Sequence, residues 1–157
     1  MSDSKKNYAN KLIELIKEVF EENEWKYKFD EEDNTISFTF CGDDLDMDYI
    51  FSINADMEHI LLYSILPVKI DASKIAEWAI AVNHANNGLN RGTFEINAER
   101  ETISYRMSQI YCDSIISKQV IYDMVHLSNL IVDHYNDKFF MLAKGMINLK
   151  DFLEKVK

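Results

Sequence analysis

The sequence predicts an α+β fold in which helices pack on one face of an antiparallel sheet. Two observations support this prediction. Four strand patterns follow an opening helix without another helix between them, and a second helix then precedes two further strands and a long helix. Consecutive strands joined by short turns pair with each other, so the predicted element order is α-β-β-β-β-α-β-β-α.

The first half of the chain contains one helix and four strands. The helix is expected to end near Asn23, and its apolar stripe is Leu12, Leu15, Ile16, Val19 and Phe20. Period-two alternation over residues 25–40, with a turn at 30–34, predicts a hairpin. Residues 45–53 and 60–66 are predicted as the third and fourth strands. The fourth strand is apolar on both faces, which favours a central position or a covering contact.

The second half begins after Pro67, which is expected to close the strand block. Asp71 or Ser73 is placed to cap a second helix, which should stop at Asn87-Gly88. The expected apolar stripe of this helix is Ile75, Trp78, Ala79 and Val82.

A last hairpin and a long helix follow. The inward residues of the hairpin are expected to be Phe94, Ile96, Ile103, Tyr105 and Met107. The helix is predicted from Asp113 or Ser114 to about Asn136, and it is apolar over more of its circumference than one sheet contact requires. This breadth predicts a second burial surface and therefore self-association. A short terminal helix is predicted around residues 149–153.

The sheet face opposite the helices is expected to be open to water or to a partner. The outward positions of the predicted strands are Lys, Thr, Ser, Glu and Arg rather than Val or Ile, and they include Lys28 and Arg106. No linker-like stretch divides the chain. We therefore predict a single domain over residues 1–157, in which residues 145–157 form a short C-terminal helical extension.

Composition argues against several classes of function. The net charge is −10 at pH 7, from 27 acidic and 17 basic residues, and it repels nucleic-acid phosphates and anionic lipid surfaces. There is no uncharged apolar run of about 18 residues that could span a membrane. Cys41 and Cys112 are far apart without a Cys-x-x-Cys pair, which is typical of reduced thiols. Because the start also lacks an apolar signal segment, we expect a cytoplasmic protein that binds neither nucleic acid nor a membrane.

The candidate metal ligands do not form a recognised ligand pattern. The acidic run Asp43–Asp48 begins like a calcium loop, but a loop starting at Asp44 has Tyr49 where Gly is required and Ala55 where Glu is required. Further candidates lie on or just after the long helix without a Glu-x-x-His pair, namely Asp123, His126, Asp133, His134 and Asp137. We therefore predict no metal and no cofactor.

Candidate nucleophiles are equally sparse. The sequence contains no Gly-x-Ser-x-Gly elbow and no glycine-rich loop that could hold a phosphate. Cys112 precedes the predicted start of the long helix, where amide dipoles would lower the pKa of its thiol, although a chance placement is the simpler interpretation. We therefore predict no catalytic residues.

The most specific pattern joins the end of the second helix to the last hairpin. It consists of Asn83 and Asn86, then Gly92-Thr-Phe-Glu-Ile96, then Ile103-Ser-Tyr-Arg-Met107. With residues 65–68 (Ile-Leu-Pro-Val) ahead of the helix, the chain resembles the YbjN-like family over roughly residues 12–142. It departs from the family at residues 99–101 (Glu-Arg-Glu), where members often have Asp-Gly, and the tail beyond Lys144 has no assigned counterpart.

The resemblance implies a fold similar to that of type III secretion chaperones, an α-β-β-β-α-β-β-α unit that commonly dimerises and binds proteins. Members of the family are labelled putative bacterial sensory transduction regulators. Our first hypothesis is therefore a non-enzymatic, homodimeric, chaperone-like or regulatory protein. It would bind a protein partner through the exposed sheet face, a sheet edge or an inter-helical groove.

The alternative hypothesis is a small-molecule sensor or an enzyme with a pocket between the sheet and the end of the second helix, residues 83–87. Tyr63, Trp78 and Tyr105 would line this pocket. Core packing is the simpler interpretation of these aromatic residues, because their spacing already satisfies the helix and strand periods. A subunit of a larger assembly is a third hypothesis.

Overall fold

The structure is a computed structural model that describes residues 3–156. These residues form four α-helices and six strands, with a short 3-10 turn before the second helix. The elements are α1 (Asp3–Glu22), β1 (Lys28–Asp30), β2 (Thr35–Cys41), β3 (Asp46–Asn54), β4 (His59–Lys69), the turn Ala72–Lys74, α2 (Ile75–Asn87), β5 (Thr93–Asn97), β6 (Thr102–Ile110), α3 (Lys118–Ala143) and α4 (Leu149–Lys155). The predicted α+β class and element order are confirmed.

The six strands form one antiparallel sheet in the order β1-β2-β3-β4-β6-β5. β4 lies between β3 and β6, which confirms the central position predicted from its two apolar faces. In the last hairpin Phe94 pairs with Tyr105 and Ile96 with Ile103, as predicted. β5 and the short β1 lie at the two edges of the sheet.

The helices cover one face of the sheet and enclose the core with it. α1 packs on β3, α2 on β5, and α3 on β3, β4 and β6. The inward side chains of the strands are almost fully buried, and they include Ile36, Met47, Tyr49, Phe51, Ile60, Leu62, Ile103 and Tyr105. Because full burial of a large apolar side chain contributes about 1.5 to 3 kcal/mol, this layer is the main source of stability.

β4 is longer than predicted, because Pro67 lies within the strand instead of ending it. Pairing of β4 with β6 is regular from His59 to Ile65 and resumes at Lys69, so the irregular segment of the ladder contains the proline. Proline has no N–H to donate, and a strand tolerates it where the ladder is already interrupted. The prediction that Pro67 closes the strand block is wrong.

β1 is shorter than the alternation predicts. Only Lys28–Asp30 pairs with β2, although the pattern begins at Trp25. The Trp25 ring instead stacks on Tyr122 of α3, with 5.5 Å between ring centroids, and meets Phe20 and Phe40 edge to face. Aromatic packing against the helices therefore replaces strand pairing at this position.

α2 follows a 3-10 turn rather than starting directly at its predicted cap. Asp71 caps this turn by accepting a hydrogen bond from the Ser73 N–H at 2.9 Å. The buried face of α2 consists of Trp78, Ala81, Val82 and Ala85. Ala79, predicted in the apolar stripe, is exposed because it lies outside that face of the helix.

α3 starts later and ends later than predicted. Neither Asp113 nor Ser114 begins the helix, because Ser117 is its N-cap and accepts a hydrogen bond from the Val120 N–H. Asp113 has a positive φ of 50°, a conformation outside regular helix. At the other end the helix continues past Asn136, and the apolar residues that follow pack on the core.

The apolar breadth of α3 is explained by contacts within the chain. α3 contacts α1, α4 and three strands of the sheet. Among its large apolar side chains, only Leu130 is strongly exposed, at 55%. The breadth therefore does not by itself require a second copy of the chain. Neither α3 nor any other helix within residues 3–156 is long and apolar enough to cross a membrane.

α4 confirms the predicted terminal helix, and it packs against the body of the fold. Its start has a capping box, in which Asn148 accepts a hydrogen bond from the Asp151 N–H at 3.0 Å and the Asp151 carboxylate accepts one from the Asn148 N–H. Phe152 is fully buried against Phe139, with 5.1 Å between ring centroids. Helix caps and a buried aromatic ring thus hold the segment in place.

Candidate protein-binding surface

The sheet face turned away from the helices is the candidate binding surface, and we call it the open face. One row of residues crosses all six strands in register, and it consists of Lys28, Ser37, Ile50, Tyr63, Arg106 and Thr93. Lys28 and Arg106 both belong to this row, as their predicted outward positions require. The predicted open face is therefore present, with a cation toward each end.

The centre of the open face is apolar, although most outward strand positions in the sequence are polar. Ile50 is 41% exposed and Ile65 53% exposed, while Leu61 and Tyr63 are partly exposed. Ile50 and Tyr63 lie opposite each other on β3 and β4. The signal in the sequence was the presence of apolar residues on both faces of the fourth strand. A contiguous apolar patch on an acidic, polar surface is typical of an interaction site.

Polar side chains surround the apolar centre. Arg106 Nε donates a hydrogen bond to Glu95 Oε1 at 2.7 Å, and this carboxylate raises the pKa of the Arg106 guanidinium. Thr39 Oγ1 donates to Asp48 Oδ1 at 2.6 Å. Beside these residues, β1, β2 and β3 border a hollow of about 530 Å³ that Lys28 and other residues line. An apolar centre with a polar rim is the composition of protein–protein interfaces.

The β5 edge of the sheet is closed by an asparagine of the sequence motif. The Asn86 side chain accepts a hydrogen bond from the Phe94 N–H at 2.8 Å and donates one to the Phe94 C=O at 3.0 Å. Asn86 thus bonds the edge strand as a neighbouring strand would. A further strand cannot pair with β5 at Phe94 while this amide is in place.

Gly92 fixes the entry into β5. Its φ is +69°, and a Cβ at this position would lie 2.1 Å from the Tyr105 hydroxyl oxygen. That hydroxyl donates a hydrogen bond to the Arg91 C=O at 3.1 Å, which holds the turn against the core. Asn86 and Gly92, two residues of the motif, therefore shape the edge of the sheet.

The predicted metal candidates are dispersed and have other contacts. The Asp133 carboxylate accepts a hydrogen bond from the Asp43 N–H at 3.0 Å, which joins α3 to the β2–β3 turn. The remaining contacts are Asp123 with Gln119, His126 with Tyr122, His134 with Tyr135 and Asp137 with Lys138. Within residues 3–156, no group of three His, Cys, Asp or Glu side chains is arranged to hold a metal ion.

Neither cysteine has the environment of an activated thiolate. A hydrogen bond with Asp46 raises the pKa of the Cys41 thiol. The negative charges of Glu58 and Asp113 raise the pKa of the Cys112 thiol. Because α3 starts only at Lys118, helix dipoles do not act on Cys112, and the lowered pKa considered from the sequence is wrong.

The pocket of the alternative hypothesis is not formed by the residues predicted to line it. Tyr63 pairs with Arg106 on the open face, whereas Tyr105 is fully buried on the opposite face of the sheet. Trp78 is buried and packs near Phe139. A cavity of about 660 Å³ lies between the start of α2 and the α3–α4 turn, and of the three predicted aromatic residues Trp78 alone lines it. The predicted lining is therefore wrong for Tyr63 and Tyr105.

Solved structures with the same architecture define the class of fold. The chain is similar to the crystal structure of YbjN, a putative transcription regulator from E. coli, with 8% identity, a TM-score of 0.59, and coverage of 85% of this chain and 92% of that chain. The ExsC-ExsE complex and the HopA1-SchA chaperone-effector complex each show 15% identity and a TM-score of 0.52, covering 83% of this chain and 95% and 94% of theirs. The fold is an α+β fold of the secretion-chaperone type.

The sequence identifies the family. Residues 12–141 match the family YbjN, described as "Putative bacterial sensory transduction regulator". The chain belongs to the YbjN family, which confirms the resemblance predicted from the helix end and the last hairpin. No curated protein matches the chain.

Proposed function

We propose that this protein is a chaperone-like, non-enzymatic protein-binding module that acts in the cytoplasm as a homodimer. A segment of the partner protein would lie on the open face, against Ile50, Tyr63 and Ile65. The observation that carries this proposal is the apolar patch at the centre of a sheet face that the described helices leave uncovered. Burial of that patch by a partner is favourable because it removes apolar surface from water.

The chemistry of the open face favours a protein segment over other ligands. A polypeptide supplies apolar side chains for the patch and polar groups for Lys28, Asp48 and Arg106 around it. A nucleic acid would be repelled by the net charge of −10. Small ligands are usually held in concave pockets, whereas this patch lies on the surface of a sheet.

Proteins with a similar fold support the same class of function. One similar structure is the ExsC-ExsE complex, and another is the HopA1-SchA chaperone-effector complex. The family description names regulators. Holding a partner protein is an activity through which a small protein could serve either as a chaperone or as a regulator.

Affinity capture with a variant of the patch tests the open face. Ile50→Lys places a charge in the patch, and Ile80→Lys is the matched control, because Ile80 is 51% exposed on α2. Tagged proteins are incubated with lysate of the source organism, and recovered proteins are identified by mass spectrometry. We expect partners recovered with wild type and with Ile80→Lys to be lost with Ile50→Lys. Equal recovery with a folded Ile50→Lys protein, as judged by its thermal melting, would overturn the proposal.

Light scattering tests the homodimer. A twofold symmetric pair of chains is the commonest oligomer of soluble proteins, and it doubles the mass. We expect the mass of a dimer at micromolar concentration. The monomer mass of 18.4 kDa under these conditions would overturn the homodimer while leaving the open face as a binding surface.

A further inference from the structure

The outer edge of β2 is only partly paired. β1 pairs with Thr35–Ser37, and within residues 3–156 no strand pairs with Phe38–Cys41 on that side. We call Phe38–Cys41 the free edge. The Gly42 N–H bonds to the Leu45 C=O at 3.2 Å, toward β3. Hydrogen bonding along an antiparallel strand alternates between its two neighbours. The N–H and C=O groups of Thr39 and Cys41 therefore point away from β3, toward the unpaired side of β2.

No strand within residues 3–156 lies beside the free edge. A hollow of about 530 Å³ extends from Lys26 and Lys28 across Thr39 to Ile50 of β3, so it lies over the open face at the β1 end of the free edge. Trp25, which would otherwise continue β1 along β2, is packed against Tyr122 of α3 and meets the Phe40 ring edge to face. The opposite edge of the sheet is different, because the Asn86 side chain forms hydrogen bonds with the N–H and C=O of Phe94 in β5.

Opposite charges mark the two ends of the free edge. Lys26 and Lys28 are exposed at the β1 end, and Asp43, Asp44 and Asp46 are exposed at the end where β2 turns into β3. A second copy placed antiparallel along the free edge would bring its aspartates to these lysines, and its lysines to these aspartates. The edge is therefore complementary in charge to itself.

We propose that the free edge pairs with the free edge of a second copy of this chain, about a two-fold axis at Phe40. Thr39 of each chain then forms two main-chain hydrogen bonds with Cys41 of the other, and the two Phe40 residues lie opposite each other as a close aromatic pair. The two sheets become one continuous sheet. This proposal rests on the homodimer of the proposed function and specifies its interface.

The length of the free edge fits this arrangement. In the proposed register, Gly42 of one chain lies opposite Phe38 of the other, and the chain turns away there before it reaches Lys28 of β1. The turn is tightly confined, since a Cβ on Gly42 would lie 2.3 Å from Asp133 Oδ1 and 2.6 Å from the Leu45 C=O. β1 of one copy therefore does not obstruct β2 of the other.

The short pairing predicts a weak dimer. Stable interfaces usually bury about 800 Å² on each partner, and four paired residues with their flanking charges bury less. The two open faces would lie side by side, so one partner protein could contact the apolar patches of both chains. We expect association to rise with protein concentration and to weaken with salt.

Cross-linking tests the register directly. In a Cys112→Ser background, Thr39→Cys places a thiol opposite Cys41 of the second copy, at a Cα separation of about 5.5 Å that suits a disulfide. Ser108→Cys, on the exposed side of β6, is the matched control. With oxidised glutathione, we expect a covalent dimer on non-reducing gels to form roughly tenfold faster with Thr39→Cys, since the two thiols are held together.

Charge reversal tests the complementarity between the lysines and the aspartates at the two ends of the free edge. Lys26→Glu with Lys28→Glu should abolish association, and so should Asp43→Lys with Asp44→Lys. Mixing these two double variants should restore it, because every contact between the ends is then between opposite charges. A mixture that remains monomeric would overturn the proposal.

The outcomes separate this proposal from the homodimer itself. A wild-type protein with the monomer mass at micromolar concentration overturns both. A dimeric mass with no preference for Thr39→Cys over Ser108→Cys overturns only the edge pairing. If a protein captured from lysate is cross-linked to Thr39→Cys in place of a second copy, the edge belongs to that partner and the proposal is wrong.

Discussion

The two faces of the sheet consist of alternate residues of the same strands, yet one face is buried in the core and the other is exposed. On β3, Phe51 is fully buried under the helices while its neighbour Ile50 is 41% exposed. On β4, Leu62 is buried and Tyr63 lies on the open face. A shift of one residue in register would exchange these roles. Position along the strand, rather than apolar character, decides whether a residue is buried in the core or exposed on the open face.

Truncating neighbouring residues on the two faces should produce the largest contrast. Phe51→Ala removes a fully buried ring, and we expect it to lower the free energy of unfolding by about 3 to 5 kcal/mol. Ile50→Ala should change it by less than about 1 kcal/mol, because the side chain remains partly in water. Urea unfolding measures both values. Similar losses in the two variants would mean that the open face is covered in solution, for example by a second copy.

The second largest effect is expected at high pH, which should lower the free energy of unfolding through tyrosines buried on the helix-covered face of the sheet. Burial raises the pKa of Tyr105 to about 12 and also raises the pKa of Tyr49. An unfolded tyrosine loses its proton near pH 10, so between pH 10 and 12 the folded chain binds more protons and stability falls as pH rises. For Tyr105 the loss approaches about 2 to 3 kcal/mol at pH 12.

Urea unfolding at increasing pH checks this expectation. Stability below pH 10 should be independent of these two hydroxyls, and the decline should begin as the pH passes that value. Tyr105→Phe removes one of the two groups and should make the decline shallower. A decline of the same steepness in Tyr105→Phe would show that its hydroxyl is not kept neutral by burial.

Periodicity predicted most of the fold, because burial on one face leaves a clear alternation in sequence. The inward residues of β3 and the pairing of Phe94 with Tyr105 are examples. The errors lie where tertiary contacts override local patterns. Pro67 remains in β4 because the pairing of β4 with β6 is irregular there, and Trp25 leaves the strand pattern to pack on Tyr122.

The candidate surface was harder to predict. Outward polar residues correctly indicated an open face, with Lys28 and Arg106 on it. The patch at its centre arises only when Ile50 and Tyr63 come together across two strands, and a single strand pattern does not contain that neighbourhood. Likewise, the helix-ending asparagines gave no indication that Asn86 bonds the backbone of β5.

Removing the amide that closes β5 should have an intermediate effect. Asn86→Ala leaves the N–H and C=O of Phe94 without their side-chain partner, and we expect a loss of about 2 kcal/mol in the free energy of unfolding. Asn87→Ala, an exposed neighbour at the same helix end, is the control and should change it by less than about 0.5 kcal/mol. Equal effects would assign the loss to the helix end rather than to the edge of the sheet.

Reversing charges on the open face should affect stability least and binding most. The side chains of Arg106 and Glu95 are 35% and 39% exposed, and a pair of this kind contributes about 0.5 kcal/mol. Arg106→Glu should therefore lower the free energy of unfolding by less than about 1 kcal/mol, as should Lys28→Glu. If the open face holds the partner protein, both variants should bind a partner captured with wild type less tightly, or with a changed dependence on salt. Unchanged affinity in both folded variants would place the binding surface elsewhere, because these two cations flank the apolar patch on either side.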